Sequence, residues 1–243
     1  MGNMWCEYNM PDNPLSSIAI IPDGNRRYAR KAGLSLEQAY MAGFRKSEDA
    51  VKWSADGGIK TLTFWALSLD NFTQRSSSEL SVLFRLMKSH AQQALKSKVF
   101  KEHNVAVKFF GKRELLPREL DRTFQTVEEK YPGDGDLALN IGIAYNGRDE
   151  LLHAAQLLAN DISEKKVRPG TLTESEFERY LYVKVSPDLV IRTGDAPRLS
   201  GLMPWQTVYS ELYFSPKLWP EFSKEDFGAA CEFYHNVERK FGR

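Results

Sequence analysis

Short apolar runs alternate along this chain with longer stretches whose apolar residues recur every three or four positions. Ser17 to Ile21 predicts a first strand. Leu36, Tyr40, Phe44, Val51 and Ala55 form a helical stripe, which Asp56-Gly57-Gly58 ends. Ile59 to Leu67, rich in Thr and aromatics, predicts the next strand. Ser76-x-x-Glu79 has capping-box spacing and opens a helix with Leu80, Leu83, Phe84, Met87, Ala91, Ala94 and Leu95 on one face. Val105 to Phe110 predicts a third strand, and a shorter helix comes after Pro117. Leu137, Leu139, Ile141 and Ile143 alternate with smaller or polar residues, as in a strand with two different faces. Asn146 caps a helix with Leu151, Ala154, Ala155, Leu158 and Ile162 inward. Leu189 to Ile191 is a short, wholly apolar strand. Ser223-x-x-Asp226 starts a last helix with Phe227, Cys231, Tyr234, Val237 and Phe241 inward.

This alternation predicts an α/β fold with a mostly parallel central sheet flanked by helices. The connections are short, so residues 16–243 read as a single domain, preceded by a loose arm over residues 1–15. In such sheets, ligands sit beyond the carboxyl ends of the strands. That rule gathers the loops after Ile21, Leu67, Ile143 and Ile191 at one edge.

Composition narrows the picture without redirecting it. The 243 residues are 42% hydrophobic and 27% charged, which is ample for a core. A net charge of +1 argues against wholesale nucleic-acid binding, so any basic site is local. Two cysteines, Cys6 and Cys231, are too few for a disulfide framework and fit free thiols in a reducing compartment. No run approaches the roughly 18 apolar residues of a membrane span, and Met1 to Pro14 lacks the basic-then-apolar order of a signal peptide. A cytoplasmic protein is expected.

The chemistry collects in the four loops. The first reads Pro22-Asp23-Gly24-Asn25-Arg26-Arg27-Tyr28-Ala29. Asp23 offers oxygen to a hard cation, Gly24 lets backbone approach a ligand, and Arg26 and Arg27 offer forks that match phosphate oxygens. A divalent metal with a pyrophosphate satisfies all of them. Taken alone, Asp-Gly-Asn is a plain turn; the three loops farther along the chain decide otherwise. The second loop, Ser68-Leu69-Asp70-Asn71-Phe72, carries a hydroxyl, a carboxylate and an amide. The third, Tyr145-Asn146-Gly147-Arg148, sets an arginine at a helix start, where anions are favoured. The fourth, Pro187 to Ser200, holds Arg192, Arg198 and Ser200 at spacings that suit a second phosphate group. Glu211 comes next as a second metal candidate, with a structural ion pair as its plainer reading. His90, His103, His153 and His235 are scattered without close metal-ligand spacing. The aromatic run Trp205, Tyr209, Tyr213 and Phe214 reads as core or dimer interface.

Five ordered motifs between Ile18 and Gly242 resemble those of the cis-prenyltransferases, the undecaprenyl pyrophosphate synthase family, in a divergent, archaeal-type form. They are Asp23 to Ala29, Ser68 to Phe72, Tyr145 to Arg148, Pro187 to Ser200, and Trp205 to Phe214 with Trp219-Pro220-x-Phe222 after it. The resemblance implies that family's fold with an apolar tunnel, lined here by the Leu83, Phe84, Met87 face and the Leu139 to Ile143 strand. It implies Mg2+-dependent transfer from an allylic prenyl pyrophosphate to isopentenyl pyrophosphate with Z geometry, by a homodimer in loose contact with a membrane surface. By the family pattern, Arg27 and the Asp23–Asn25 backbone hold the donor pyrophosphate and Asp23 its metal. Arg192, Arg198 and Ser200 hold the acceptor's pyrophosphate, and Glu211 serves its metal. Asn25, Ser68 and Asn71 stand where proton removal is assisted.

Departures from the pattern matter as much. The family's Arg and His ahead of the first long helix align with Leu36 and Tyr40, while Arg26 replaces a usual glycine. Tyr40 is then either helix packing or active-site rim. The usual Glu, Asn and Trp align with Ala196, Gly201 and Phe72, and Gln74 stands where an Arg often sits, with Arg75 one place later. A relaxed acceptor site is the expectation, open to a second allylic pyrophosphate or another small nucleophile. Two alternatives are a non-catalytic partner subunit of a heteromeric cis-prenyltransferase and a prenyl-phosphate binder without turnover; retention of Asp23 favours the enzyme.

Overall fold

The computed structural model describes residues 14–133 and 135–237. Residues 1–13 of the expected arm, Cys6 and Phe241 lie outside that range. Leu15 packs against the core.

Among the described residues, six strands form one sheet: β1 (Ser17–Ile21), β2 (Thr61–Ser68), β3 (Val105–Phe110), β4 (Leu137–Tyr145), β5 (Leu189–Arg192) and β6 (Glu211–Phe214). Their order is β3-β4-β2-β1-β5-β6, and every pairing is parallel. β1 lies between β2 and β5, with Ile20 opposite Phe64 on one side and Ile191 on the other. Successive residues of β1 serve opposite faces. Ile18 and Ile20 join the larger core, whereas Ala19 and Ile21 join a smaller one with Trp65, Tyr145, Leu202 and Met203.

Helices clothe the sheet: α1 (Asn25–Ala32), α2 (Leu36–Asp56), α3 (Leu69–Gln74), α4 (Ser77–Ala94), α5 (Lys98–Glu102), α6 (Arg118–Lys130), α7 (Gly147–Ser163), α8 (Glu174–Glu178) and α9 (Lys224–Asn236). Cover on both faces leaves β4 buried along almost its whole length. On α7, Ala154 and Leu158 are buried, but Ala155 is exposed. The segment after Ser68 is a short helix, capped by the Ser68 hydroxyl accepting from Asn71 N at 3.0 Å. β6 arises inside the aromatic run that the sequence pattern did not resolve as a strand.

The strand order reverses at β1. Chain leaving β1 passes to β2, then to the edge strand β3, back to β4 between them, and crosses to β5 on the other side of β1. Loops diverge at that switch point and leave a crevice beyond the carboxyl ends of β1, β2 and β5.

Candidate active site

β1 delivers Ile21-Pro22-Asp23 to that crevice. Gly24 then turns the chain with φ +114, and a Cβ there would lie 3.0 Å from the Leu218 Cα, so glycine is required on both counts. α1 starts immediately after, with no acidic residue in its first turn. Its leading N–H groups lack helical acceptors and favour an anion.

Asp23 is fixed through its backbone: its carbonyl accepts from Thr193 Oγ1 at 2.8 Å and from Trp219 N at 3.0 Å. Its carboxylate bridges two guanidiniums. Oδ2 accepts from Arg192 Nη2 at 3.0 Å, and Oδ1 lies 3.4 Å from Arg27 Nη2. Arg192, at the end of β5, is almost wholly buried. Its Nη1 donates to the Arg198 carbonyl and to Ser200 Oγ, each at 2.7 Å. The three acceptor-side residues expected from the sequence are therefore one cluster, joined to the donor-side loop through Asp23.

A cavity of about 750 Å³ fills the crevice. Asp23, Gly24, Asn25, Arg26, Arg27 and Arg30 line it from β1 and α1; Leu36 and Tyr40 line it from α2. Ser68, Asp70, Asn71 and Arg75 line it after β2, and Arg192, Arg198 and Ser200 after β5. Other expected residues lie elsewhere. Tyr28 and Phe72 are not among the lining residues; Phe72 packs on Phe84, with ring centroids 6.1 Å apart. The loop after β4 also stays outside the lining. There the Tyr145 hydroxyl donates to Glu150 Oε2 at 2.6 Å and accepts from Met203 N, which is structural bracing. Glu211 opens β6 in register with Leu189, whereas Arg192 pairs with Phe214. Three residues of strand put Glu211 roughly 10 Å down the sheet, at its amino end, away from this chain's own Asp23.

Sequence reading missed Arg30 and above all the contacts of Glu79. Ser76 caps α4 as expected, accepting from Glu79 N at 3.2 Å, but the Glu79 carboxylate does not close the box. It accepts from the Tyr40 hydroxyl at 2.6 Å and lies 3.4 Å from Arg75 Nε and 3.9 Å from Arg26 Nη1. The Arg75 guanidinium also sits 5.7 Å over the Tyr40 ring. Burial, then the bond to Glu79, pushes the Tyr40 phenol up to about 12. Tyr40 thus both packs and borders the cleft. The signal available in sequence was Arg75 and Glu79 at i,i+4.

Among the described residues, no three His, Cys, Asp or Glu side chains come together as a metal cage. Asp23 alone suits Mg2+, which takes one or two carboxylates plus substrate phosphates. A second, apolar cavity of about 140 Å³ shares Pro22, Phe44, Ser47 and Ala66 with the cleft. Met87, Leu139, Ile141 and Ile143 line it, together with Phe100, Phe109 and Phe124.

Residues 21–242 match the family model described as "Putative undecaprenyl diphosphate synthase" (diphosphate and pyrophosphate being one group). The chain belongs to this family of cis-prenyltransferases. A tritrans,polycis-undecaprenyl-diphosphate synthase (geranylgeranyl-diphosphate specific) of Thermoplasma acidophilum is 40% identical over 228 residues, covering 93% of this chain and 88% of that protein. An isoprenyl transferase of Thermus thermophilus is 40% identical over 233 residues with the same coverage. Lavandulyl diphosphate synthase from Lavandula x intermedia, solved in complex with dimethylallyl diphosphate, superposes with a TM-score of 0.89 at 31% identity, covering 93% of this chain and 97% of that one. This cis-prenyltransferase is accordingly an enzyme of prenyl transfer. No helix among its described residues is long and apolar enough to cross a membrane.

Proposed function

We propose that this cis-prenyltransferase moves the prenyl group of an allylic pyrophosphate onto a second substrate held in the same cleft, and that its acceptor site is relaxed. Isopentenyl pyrophosphate is the ordinary acceptor, giving a Z-configured product; a second allylic pyrophosphate or another small nucleophile is also taken. The observation that carries the reading is Asp23 bridging Arg27 and Arg192, with the apolar cavity opening behind it. The donor's tail enters that cavity. Its pyrophosphate sits at the start of α1 against Arg27. As the C–O bond breaks, negative charge grows on the leaving pyrophosphate, and fixed guanidinium and N–H donors stabilise it. Asp23 would hold Mg2+, which would supply further charge neutralisation there. The acceptor's pyrophosphate lies toward Arg198 and Ser200, and the proton lost from the new carbon chain leaves near Asn25, Ser68 and Asn71.

Relaxation is supported on the acceptor side. Arg192 is spent on Asp23, Arg198 O and Ser200 Oγ, and Ala196 is a small buried residue. Arg198 is left as the exposed cation there. The neighbour solved with dimethylallyl diphosphate also supports a cleft of this shape taking a small allylic pyrophosphate. The test is product analysis with Mg2+, one labelled allylic donor, and isopentenyl or dimethylallyl pyrophosphate as partner. Coupled product from both mixtures is expected; product only from isopentenyl pyrophosphate overturns the relaxed site.

Homodimerisation is part of the same proposal. β6 pairs only with β5 among the described strands, and Val208, Tyr209, Leu212 and Phe233 are exposed beside that edge. A monomer mass by light scattering at micromolar concentration would refute it.

A further inference from the structure

Six arginines line the cleft: Arg26, Arg27, Arg30, Arg75, Arg192 and Arg198. Four have acidic partners. Arg27 and Arg192 share Asp23, and Arg26 and Arg75 share Glu79. Arg30 and Arg198 are exposed and make no ion pair among the described residues. They stand on opposite flanks of Asp23, Arg30 on α1 and Arg198 after β5.

The plain reading of Arg30 is a cation near the end of a short helix, favoured by the dipole. Its neighbour Lys31 fits that description and pairs outward with Glu221 at 2.6 Å. Arg30 does not. It comes one helical turn after Arg26 and borders the same cavity. Arginines already balanced by a carboxylate are held in place but bring little net charge to an incoming anion. Unbalanced ones supply it.

We infer that Arg30 is a binding residue for the allylic donor's pyrophosphate, the donor-side counterpart of Arg198. The cleft then holds one uncompensated arginine for each of its two pyrophosphate groups. This rests on the two-pyrophosphate reading above. Because Arg30 sits at the rim, its contact is charge-assisted yet partly solvated, so its removal is worth roughly tenfold in affinity. The contribution falls steeply with salt.

The test is calorimetric titration of Mg2+ and inorganic pyrophosphate into wild type, Arg30→Ala, Arg198→Ala and the double variant. Donor and acceptor KM values for geranyl and isopentenyl pyrophosphate complete it. Two pyrophosphates per chain are expected for wild type. Arg30→Ala should weaken one of them about tenfold, Arg198→Ala the other, and the double variant should show both losses independently. Arg30→Ala should raise the geranyl pyrophosphate KM far more than the isopentenyl one, and Arg30→Lys should restore part of the loss. Arg122→Ala on α6 controls for surface charge in general. Pyrophosphate affinity and donor KM within twofold of wild type in Arg30→Ala overturn the inference. So does a loss equal for both substrates. Calorimetry needs no turnover, so a chain that fails to transfer prenyl groups still reports on Arg30, and the two failures are told apart.

Discussion

The Tyr40–Glu79 bond makes the sharpest structural prediction. A phenol donates to a carboxylate at 2.6 Å across the cleft mouth, tying α2 to α4. The Glu79 side chain is only 12% exposed, so the bond is charge-assisted and mostly out of water. Tyr40→Phe keeps the ring, and with it the stacking of Arg75, but removes the donor. The cost should be about 1.5–3 kcal/mol. At roughly 2–4 °C per kcal/mol for a chain of this size, Tm should fall by about 3–12 °C. Arg26 is 59% exposed, so its longer contact with Glu79 adds little. A double-mutant cycle with Glu79→Gln, read by thermal and denaturant unfolding, isolates the pair and should return a coupling of about 1.5–3 kcal/mol as well. The freed Glu79 carboxylate also competes with bound anions for Arg26 and Arg75, so KM for both substrates should rise in Tyr40→Phe. A coupling below about 0.5 kcal/mol with unchanged KM would refute the reasoning.

Individual contacts give three further predictions. Asp188 Oδ2 accepts from Ser16 N at 2.8 Å, Ser16 Oγ at 3.0 Å and Ser17 N at 2.8 Å, pinning the start of β5 to β1. Asp188→Ala should therefore cost about 2–4 kcal/mol in denaturant unfolding, and Asp188→Asn, which keeps an acceptor, clearly less. Gly194 has φ +85, and a Cβ there would meet Arg27 Nη2 at 2.3 Å. Gly194→Ala should displace Arg27 and raise the donor KM several-fold while far-UV circular dichroism stays native. The Tyr40 phenol is raised from its ordinary 10.0 to about 12. Its contribution to stability is complete below about pH 10 and disappears as pH climbs through about 12, so wild type should lose more stability across that window than Tyr40→Phe.

Much of the fold is legible in the sequence, because parallel strands buried on both faces leave uninterrupted apolar runs. Ser17 to Ile21 coincides with β1 for that reason; Val105 to Phe110 coincides with the edge strand β3, whose apolar run is broken only by the exposed Lys108. β6 was not legible. An edge strand whose residues are only half buried carries neither an apolar run nor a clean alternation. The two arginine-bearing loops, after β1 and after β5, line one cleft, as topology places loops beyond the strand ends together. The role of Glu79 did not read, because local spacing satisfied a cap, while its partner Tyr40 comes from a helix 39 residues away. The position of Glu211 did not read either, because a strand register, which local sequence does not encode, sets it at the amino end of the sheet, away from this chain's own Asp23. Arg30 carried no signal in the sequence, because only the fold sets α1 along the cleft.

On the proposed reading, prenyl transfer in this enzyme turns on Asp23, held by Thr193, Trp219 and Arg192 where the two arginine sets meet. The most direct test is prenyl transfer by purified wild type and Asp23→Ala, with Mg2+, labelled isopentenyl pyrophosphate and a set of allylic donors. Wild type should form labelled prenyl pyrophosphate without any added subunit. Asp23→Ala should lose turnover by about 10³-fold or more, as when electrostatic support of a leaving group is removed, with its unfolding transition still cooperative. No product from wild type alone, or near-normal turnover by a folded Asp23→Ala, would contradict this role.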